Sequence, residues 1–335
     1  MLGNVDKVFE DVTGSIYGLP GFQVMSMDRK VVAIALLQCV ERGLVTLDTI
    51  PTDLLPELSR LQVLRGWTEK NEPILEDPQR LPTVRELLSH QSGISVDISE
   101  PMLLKWNEYQ GRKTTSQNLI YPMMFSPRDG WAYSTGMDWV GHLISRLNGN
   151  ISLGDYFEKY IFGPLGLQNT TFEPLEDPKF RDRLTATHLR QPEGSLKVAD
   201  VNAGAQYAKS GHHNGGGGLW STASDLCQLL RGVFLDEHHS GLLTHASVRE
   251  IYRPCLDHPE YLGQRVEKMK QEKPMHINIL PQIPTDVPKS FGLGVAINLA
   301  DLDTGLSAGS FQWSGFPNCY WASHGKCNSL QWNRR

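Results

Sequence analysis

The sequence predicts an α+β fold: an α/β lobe with a central antiparallel sheet flanked by helices, and a mainly helical lobe inserted into it. Three observations carry that prediction. Short Gly-punctuated, strand-like pieces open the chain around Lys7–Phe9 and Ile16–Gly18. A long middle follows in which capped helical patterns dominate. Strand-like runs then return late, at 290–297 and 309–316. Strands at both ends around helices give one sheet assembled from both termini, with the helical part looping out between. The lobes are placed at 1–48 with 216–335, and at 49–215.

The 335 residues are 40% hydrophobic and 21% charged, enough for a large core and two lobes. The net charge of −5 without a basic block gives nucleic-acid binding no electrostatic footing. No apolar run reaches the roughly eighteen residues that a membrane helix needs. The N-terminus has no charged region followed by an apolar one, so no signal peptide is read. Five widely spaced cysteines (39, 227, 255, 319 and 327) without a CxxC pair fit reduced thiols in a cytoplasmic protein.

The element around which the rest is arranged is residues 26–42. After Lys30 the chain is apolar on every face of a helix, the mark of a buried one, and Gly43 is placed to end it at C′. Ser26 stands just before this helix, with Arg29 and Lys30 in its first turn. A serine there is ordinarily an N-cap. Cations at a helix N-terminus are unfavourable, however, and make sense if Ser26 is a nucleophile and a cation its electrostatic partner or base. Arg29 holds the fourth position of a Ser-x-x-Lys pattern and cannot be deprotonated. Lys30 can, but lies about 100° further round the helix. Asp28 reads as a first-turn acid that favours the helix terminus.

Further along, Leu54–Leu64 has a short helical pattern, and 66–82 reads as a polar, proline-bearing loop. Thr83 and Glu86 form a capping box before a short helix that runs into the turn Gln91–Ser95. Gly130–Gly136 is a tight turn leading to an amphipathic helix. Ser152 caps another, which Gly163–Gly166 stops. The stretch 173–214 is loop-rich. Gly215–Gly218 opens a capped helix but lacks the Gly-Lys-Ser/Thr of a phosphate loop. The stretch 254–290 reads as loop, and the polar tail after Trp321 follows no strand pattern. Met123, Met124 and Trp106 read as packing of the helical lobe. The His pairs at 212–213 and 238–239 lack metal-ligand spacing, so neither metal nor cofactor is expected.

Five stretches in order resemble the serine β-lactamase and penicillin-binding-protein-like family, at its branch of fungal polyketide side-chain acyltransferases. They are Ser26–Lys30 with Ala35–Val45, Leu87–Ile94, Trp131–Thr135 with Met137–Trp139, Gly215–Thr222 and, more weakly, Trp313–Asn318. The resemblance spans about residues 20–321 and implies a β-lactamase/transpeptidase-like fold. It implies Ser26 as nucleophile and Tyr133 as the tyrosine of the acid/base set. It makes Trp313, Ser314, Gly315 and Phe316 the strand that flanks the acyl group, with the N–H groups of Ser26 and Phe316 as the oxyanion hole. Its register puts Arg29 where the family has lysine. Arg29 then stands as a fixed cation beside Tyr133, or Lys30 reaches Ser26 if the helix starts one residue later.

The implied function is a serine acyltransferase that moves an acyl group from a thioester or ester to an alcohol of a secondary metabolite through an acyl-enzyme. The donor partner implied is a small molecule or an acyl-carrier domain of a polyketide synthase. Two other readings stand beside it: a carboxylesterase or β-lactam hydrolase with the same site, and a catalytically impaired homologue that acts as a binding protein.

Overall fold

The computed structural model describes residues 27–97, 100–112, 119–184, 188–191, 193–198, 213–234, 241–271, 284, 286–303, 305–315, 319–324 and 330–332. The strand pieces expected before residue 26 lie outside the described residues, as do Ser26 and Phe316.

Helix α1 (Asp28–Glu41) is the centre of the core, with every residue from Asp28 to Leu37 buried. It ends as expected: Arg42 is the C-cap and Gly43 takes the left-handed conformation (φ +71°) that a Cβ disfavours. Against it pack α4 (Gly136–Leu147) and α5 (Leu153–Phe157), with α2 (Val84–Leu88) lying on α4 and α3 (Pro101–Tyr109) belonging to a separate cluster. The helices α6 (Ala223–Phe234), α7 (His245–Ile251) and α8 (Pro259–Gln271) follow. Thr83 and Glu86 form the capping box of α2, and Ser152 accepts from the Asp155 N–H to cap α5. A π-helical turn, Glu158–Phe162, follows α5, and Gly166 stops the segment in the left-handed region.

The large sheet is a five-stranded antiparallel meander in the order β5 (Lys289–Phe291), β6 (Ala296–Asn298), β7 (Ser310–Gly315), β8 (Cys319–His324) and β9 (Leu330–Trp332). Two of its features correct the sequence reading. The run 290–297 is two strands folded on a Gly292–Gly294 turn rather than one, so β7 pairs with β6 alone of that hairpin. The polar tail is also strand: β8 pairs with β7 from Ser310↔His324 to Gly315↔Cys319, and β9 adds to β8. Backbone pairing to an available edge overrides weak β-propensity there.

The loop at 66–82 contains a hairpin, β1 (Val63–Trp67) with β2 (Pro73–Glu76), turned at Asn71 in the left-handed region. The supposed helix at 54–64 is only a 3₁₀ turn, Pro56–Arg60. Within 173–214 there is a second hairpin, β3 (His188–Arg190) with β4 (Leu196–Val198). The largest miss is α8, placed by a proline at its first turn and by Leu262, Arg265 and Val266, which share one buried face. Trp106 and Met124 pack on Leu64, Leu103 and Tyr121 in a small satellite core.

Candidate active site

The first turn of α1 carries three consecutive ionisable side chains, all buried. At about 100° per residue they fan out to three neighbours. Asp28 Oδ1 accepts the Leu219 N–H at 2.7 Å, and burial pushes its carboxyl well above the usual range. Arg29 donates from Nη2 to the Tyr133 hydroxyl. Its guanidinium carbon lies 4.4 Å from the Tyr133 ring centre and 4.6 Å from that of Trp313. Lys30 turns elsewhere, with Nζ 4.5 Å from the Phe234 ring and 4.8 Å from the Phe311 ring. Burial holds its amine well below the usual lysine range.

The strand explains the partition of the two cations. Side chains two apart on β7 share a face, so Phe311 and Trp313 both face α1. One receives Lys30 and the other Arg29. The Trp313 and Tyr133 rings lie parallel, 6.0 Å between centres.

Tyr133 sits in the turn that enters α4, and its neighbours hold that turn from two sides. Ser134 is tied to His90: its N–H donates to Nδ1 at 3.2 Å, and its hydroxyl lies 2.8 Å from the same nitrogen. His90 is fully buried among Trp131, Tyr133 and Phe291. Burial, and then the Arg29 charge, hold it well below the usual imidazole range, so the ring is neutral and Nδ1 accepts. Its backbone is left-handed (φ +62°), a strained state for a non-glycine residue that the packed surroundings maintain. On the other side the Ser95 hydroxyl stands 3.4 Å from the Tyr133 carbonyl oxygen and 3.2 Å from Glu100 Oε1. Glu100 is paired in turn with buried Arg265 of α8 at 2.9 Å.

The glycine run closes the site from behind. Gly216 donates its N–H to Asp138 Oδ1 at 2.9 Å, while Leu219 donates to Asp28. The loop is thereby stitched to the helix that carries Arg29 and to the helix that follows Tyr133. Burial pushes the Asp138 carboxyl up as well. Gly215 lies against the Met137 carbonyl, where a Cβ would strike backbone, so the glycines serve close packing and not phosphate binding. A third contact comes from Gly294 (φ +76°), which donates to the Leu88 carbonyl at 3.1 Å and lies beneath the Arg29 carbonyl.

Among the described residues no His, Cys, Asp or Glu cluster has metal-binding geometry. No described helix is long and apolar enough to cross a membrane. Cys39, Cys227 and Cys255 are free thiols.

The model of the β-lactamase family matches residues 21–324. The chain belongs to the β-lactamase family. Among curated β-lactamase-family relatives, the lovastatin esterase of Penicillium rubens is 30% identical over 303 residues, 88% of this chain and 74% of that protein. The ML-236A carboxylate methylbutanoyltransferase of Penicillium citrinum is 30% identical over 307 residues, 89% of this chain and 71% of that one. Among solved structures, simvastatin synthase of Aspergillus terreus in its LovD6 mutant form superposes with a TM-score of 0.81 at 31% identity. That superposition covers 92% of this chain and 73% of the synthase.

For this β-lactamase-family chain, the geometry brings Arg29, Tyr133 and Trp313 together and places Lys30 against Phe234 and Phe311. Ser314 and Gly315 follow Trp313 on β7, with Gly315 opposite Cys319. Sequence reasoning gave His90 and Asp138 no role although both stand inside the quoted motifs. It read Asp28 only as a partner of the helix terminus. The signal for Asp138 was present: an aspartate between Met137 and Trp139 needs a buried donor, and a glycine run offers backbone N–H groups.

Proposed function

We propose that this chain is a serine acyltransferase that moves an acyl group from a thioester or ester donor to the hydroxyl of a small molecule of secondary metabolism. Ser26 attacks the donor carbonyl, and the acyl-enzyme is discharged by the alcohol. The N–H groups of Ser26 and Phe316 hold the oxyanion, with Trp313–Gly315 flanking the acyl chain. Tyr133, acting as the phenolate, takes the Ser26 proton and passes it to the thiol or alcohol that departs as the acyl-enzyme forms; it then takes the proton of the incoming alcohol and returns it to Ser26 as the ester leaves. Arg29 keeps its proton and steadies charge on the phenol oxygen as the proton moves. The donor is carried as a small thioester or on an acyl-carrier domain of a polyketide synthase. The enzyme works in the cytoplasm, a compartment that suits free thiols.

The observation that carries this reading is the Arg29–Tyr133 pair at the start of a buried helix that begins two residues after Ser26. The relatives' names agree with it: one is a methylbutanoyltransferase. Another is named an esterase, which favours a second reading of the same site in which water takes the acyl group.

The test is intact-mass analysis after exposure to an activated short-chain acyl ester, with peptide mapping. An adduct on Ser26 that Ser26→Ala abolishes supports nucleophilic catalysis. Faster discharge by added alcohol than by water selects transfer over hydrolysis. No adduct in wild type or in Arg29→Lys, both folded, refutes the reading.

A further inference from the structure

Arg29 is 3% exposed, and neither Nε nor Nη1 has a hydrogen-bond partner among the described residues. No described carboxylate forms an ion pair with it. The two acids that feel its charge are engaged elsewhere: Asp28 accepts from Leu219, and Asp138 accepts from Gly216. Burial raises both carboxyls above their ordinary value, and neither makes an ion pair with the guanidinium among the described residues. A buried cation in this condition is costly unless an anion joins it.

The donor geometry narrows the anion. Tyr133 takes one hydrogen of Nη2. The second Nη2 hydrogen, with that of Nη1 or Nε, still makes a two-pronged planar edge. The helix N-terminus at Met27, which has no side-chain cap, adds a favourable dipole. The walls are the faces of the Tyr133 and Trp313 rings, 4.4 and 4.6 Å from the guanidinium carbon to the ring centres. A planar group with two oxygens fits this edge. A phosphate would leave oxygens facing aromatic carbon.

We propose that the Arg29 edge between Tyr133 and Trp313 is a binding site for an alkyl carboxylate of the substrate or product. The inference builds on the acyl-transfer reading and deepens it. The carboxylate is either that of the acid formed when water discharges the acyl-enzyme or one carried at the far end of the acyl donor.

Two arms separate those sources, and neither depends on turnover alone. In the first, calorimetry follows pentanoate and its neutral analogue pentanamide binding to the Ser26→Ala protein, which cannot be acylated. Pentanoate is expected to bind at least tenfold tighter than the amide. Arg29→Gln, checked for native circular dichroism, removes the preference, and Arg29→Lys keeps part of it. In the second, wild type is compared on 4-nitrophenyl pentanoate and mono-4-nitrophenyl glutarate. A lower KM for the glutarate, lost in Arg29→Gln, assigns the site to a distal carboxylate. Equal KM values together with tight pentanoate binding assign it to the released acid.

Equal binding of acid and amide overturns the proposal. So does acid binding unchanged in Arg29→Gln, or no acid binding by a folded protein. Arg29-dependent pentanoate binding in a protein that never forms a Ser26 adduct refutes acyl transfer and leaves the carboxylate site standing. An adduct without such binding does the reverse.

Discussion

Gly216→Ala is the substitution that most directly probes how the site is held together. A Cβ at Gly216 would lie 2.8 Å from Asp138 Oδ2 and 3.2 Å from its Oδ1 and Cγ. The same carboxyl accepts the Gly216 N–H at 2.9 Å, so it cannot retreat without giving up that bond. Overpacking a rigid site costs about 1–3 kcal/mol, and leaving a buried N–H unpaired costs a similar amount. The two overlap, and about 2–4 kcal/mol of destabilisation is expected. Gly263→Ala is the control. It lies within α8 with nothing within 4 Å of the new methyl, and its stability should rise by about 0.5–1 kcal/mol from helix propensity. Urea unfolding of the three proteins, followed by fluorescence, reads both signs. Because the loop joins the helix that carries Arg29 to the helix that follows Tyr133, Gly216→Ala should also lower the acylation rate more than Gly263→Ala does. A Gly216→Ala protein as stable as wild type would refute the view that Asp138 clamps this loop.

Further outcomes follow from the charged groups. Asp28 and Asp138 have folded-state values raised by burial, so the stability they contribute is fully present below the unfolded value. It is lost as pH rises through the raised value; Asp138→Asn, which keeps an acceptor for Gly216, should therefore flatten the decline in urea midpoint relative to wild type between mildly acidic and neutral pH. Glu57 behaves oppositely: the hydrogen bond from Arg146 lowers it to about 2. Its contribution is present above the unfolded value and lost as pH falls towards about 2. Since the pair is a third exposed, Glu57→Gln should cost under about 1 kcal/mol at pH 7, read by the same titration. Breaking the buried Arg265–Glu100 pair by Arg265→Ala should cost about 3–5 kcal/mol in urea unfolding. It should also lower kcat through the Ser95 contact with Tyr133, and Arg265→Ala with Glu100→Ala together should cost less than the sum of the two changes alone.

The parts of this molecule legible in its sequence are those with strong local physics. The all-apolar run after Lys30, the Thr83 capping box and the Ser152 cap each specify their element within a few residues. The polar helix α8 and the strands β8 and β9 were not legible. The helix depends on one narrow face and on the Arg265–Glu100 pair, and the strands form because β7 presents an edge. At the site, the resemblance put Arg29 at the family's lysine position and left Lys30 as an alternative, and it is the fold that sets Arg29 against Tyr133 and Lys30 against Phe234 and Phe311. What the sequence left hidden were partners far along the chain. Ser134 meets His90, and Asp138 meets Gly216, only once α2, α4 and the glycine loop are folded together.

Arg29 and Lys30 are adjacent in the chain yet reach different aromatic partners, and only the rotational phase of α1 decides which cation meets which ring. That phase is set from the far end, where Gly43 stops the helix, and is carried back through a buried cylinder that cannot turn without moving its neighbours. Inserting one residue between Val31 and Gln38 would rotate the first turn by about 100° and bring Lys30 to the position from which Arg29 now reaches Tyr133. Altering the titratable group beside Tyr133 thus needs no change of composition at the site itself: a one-residue frame shift inside a helix, several turns from any reacting atom, would exchange a permanent cation for one that can lose its proton.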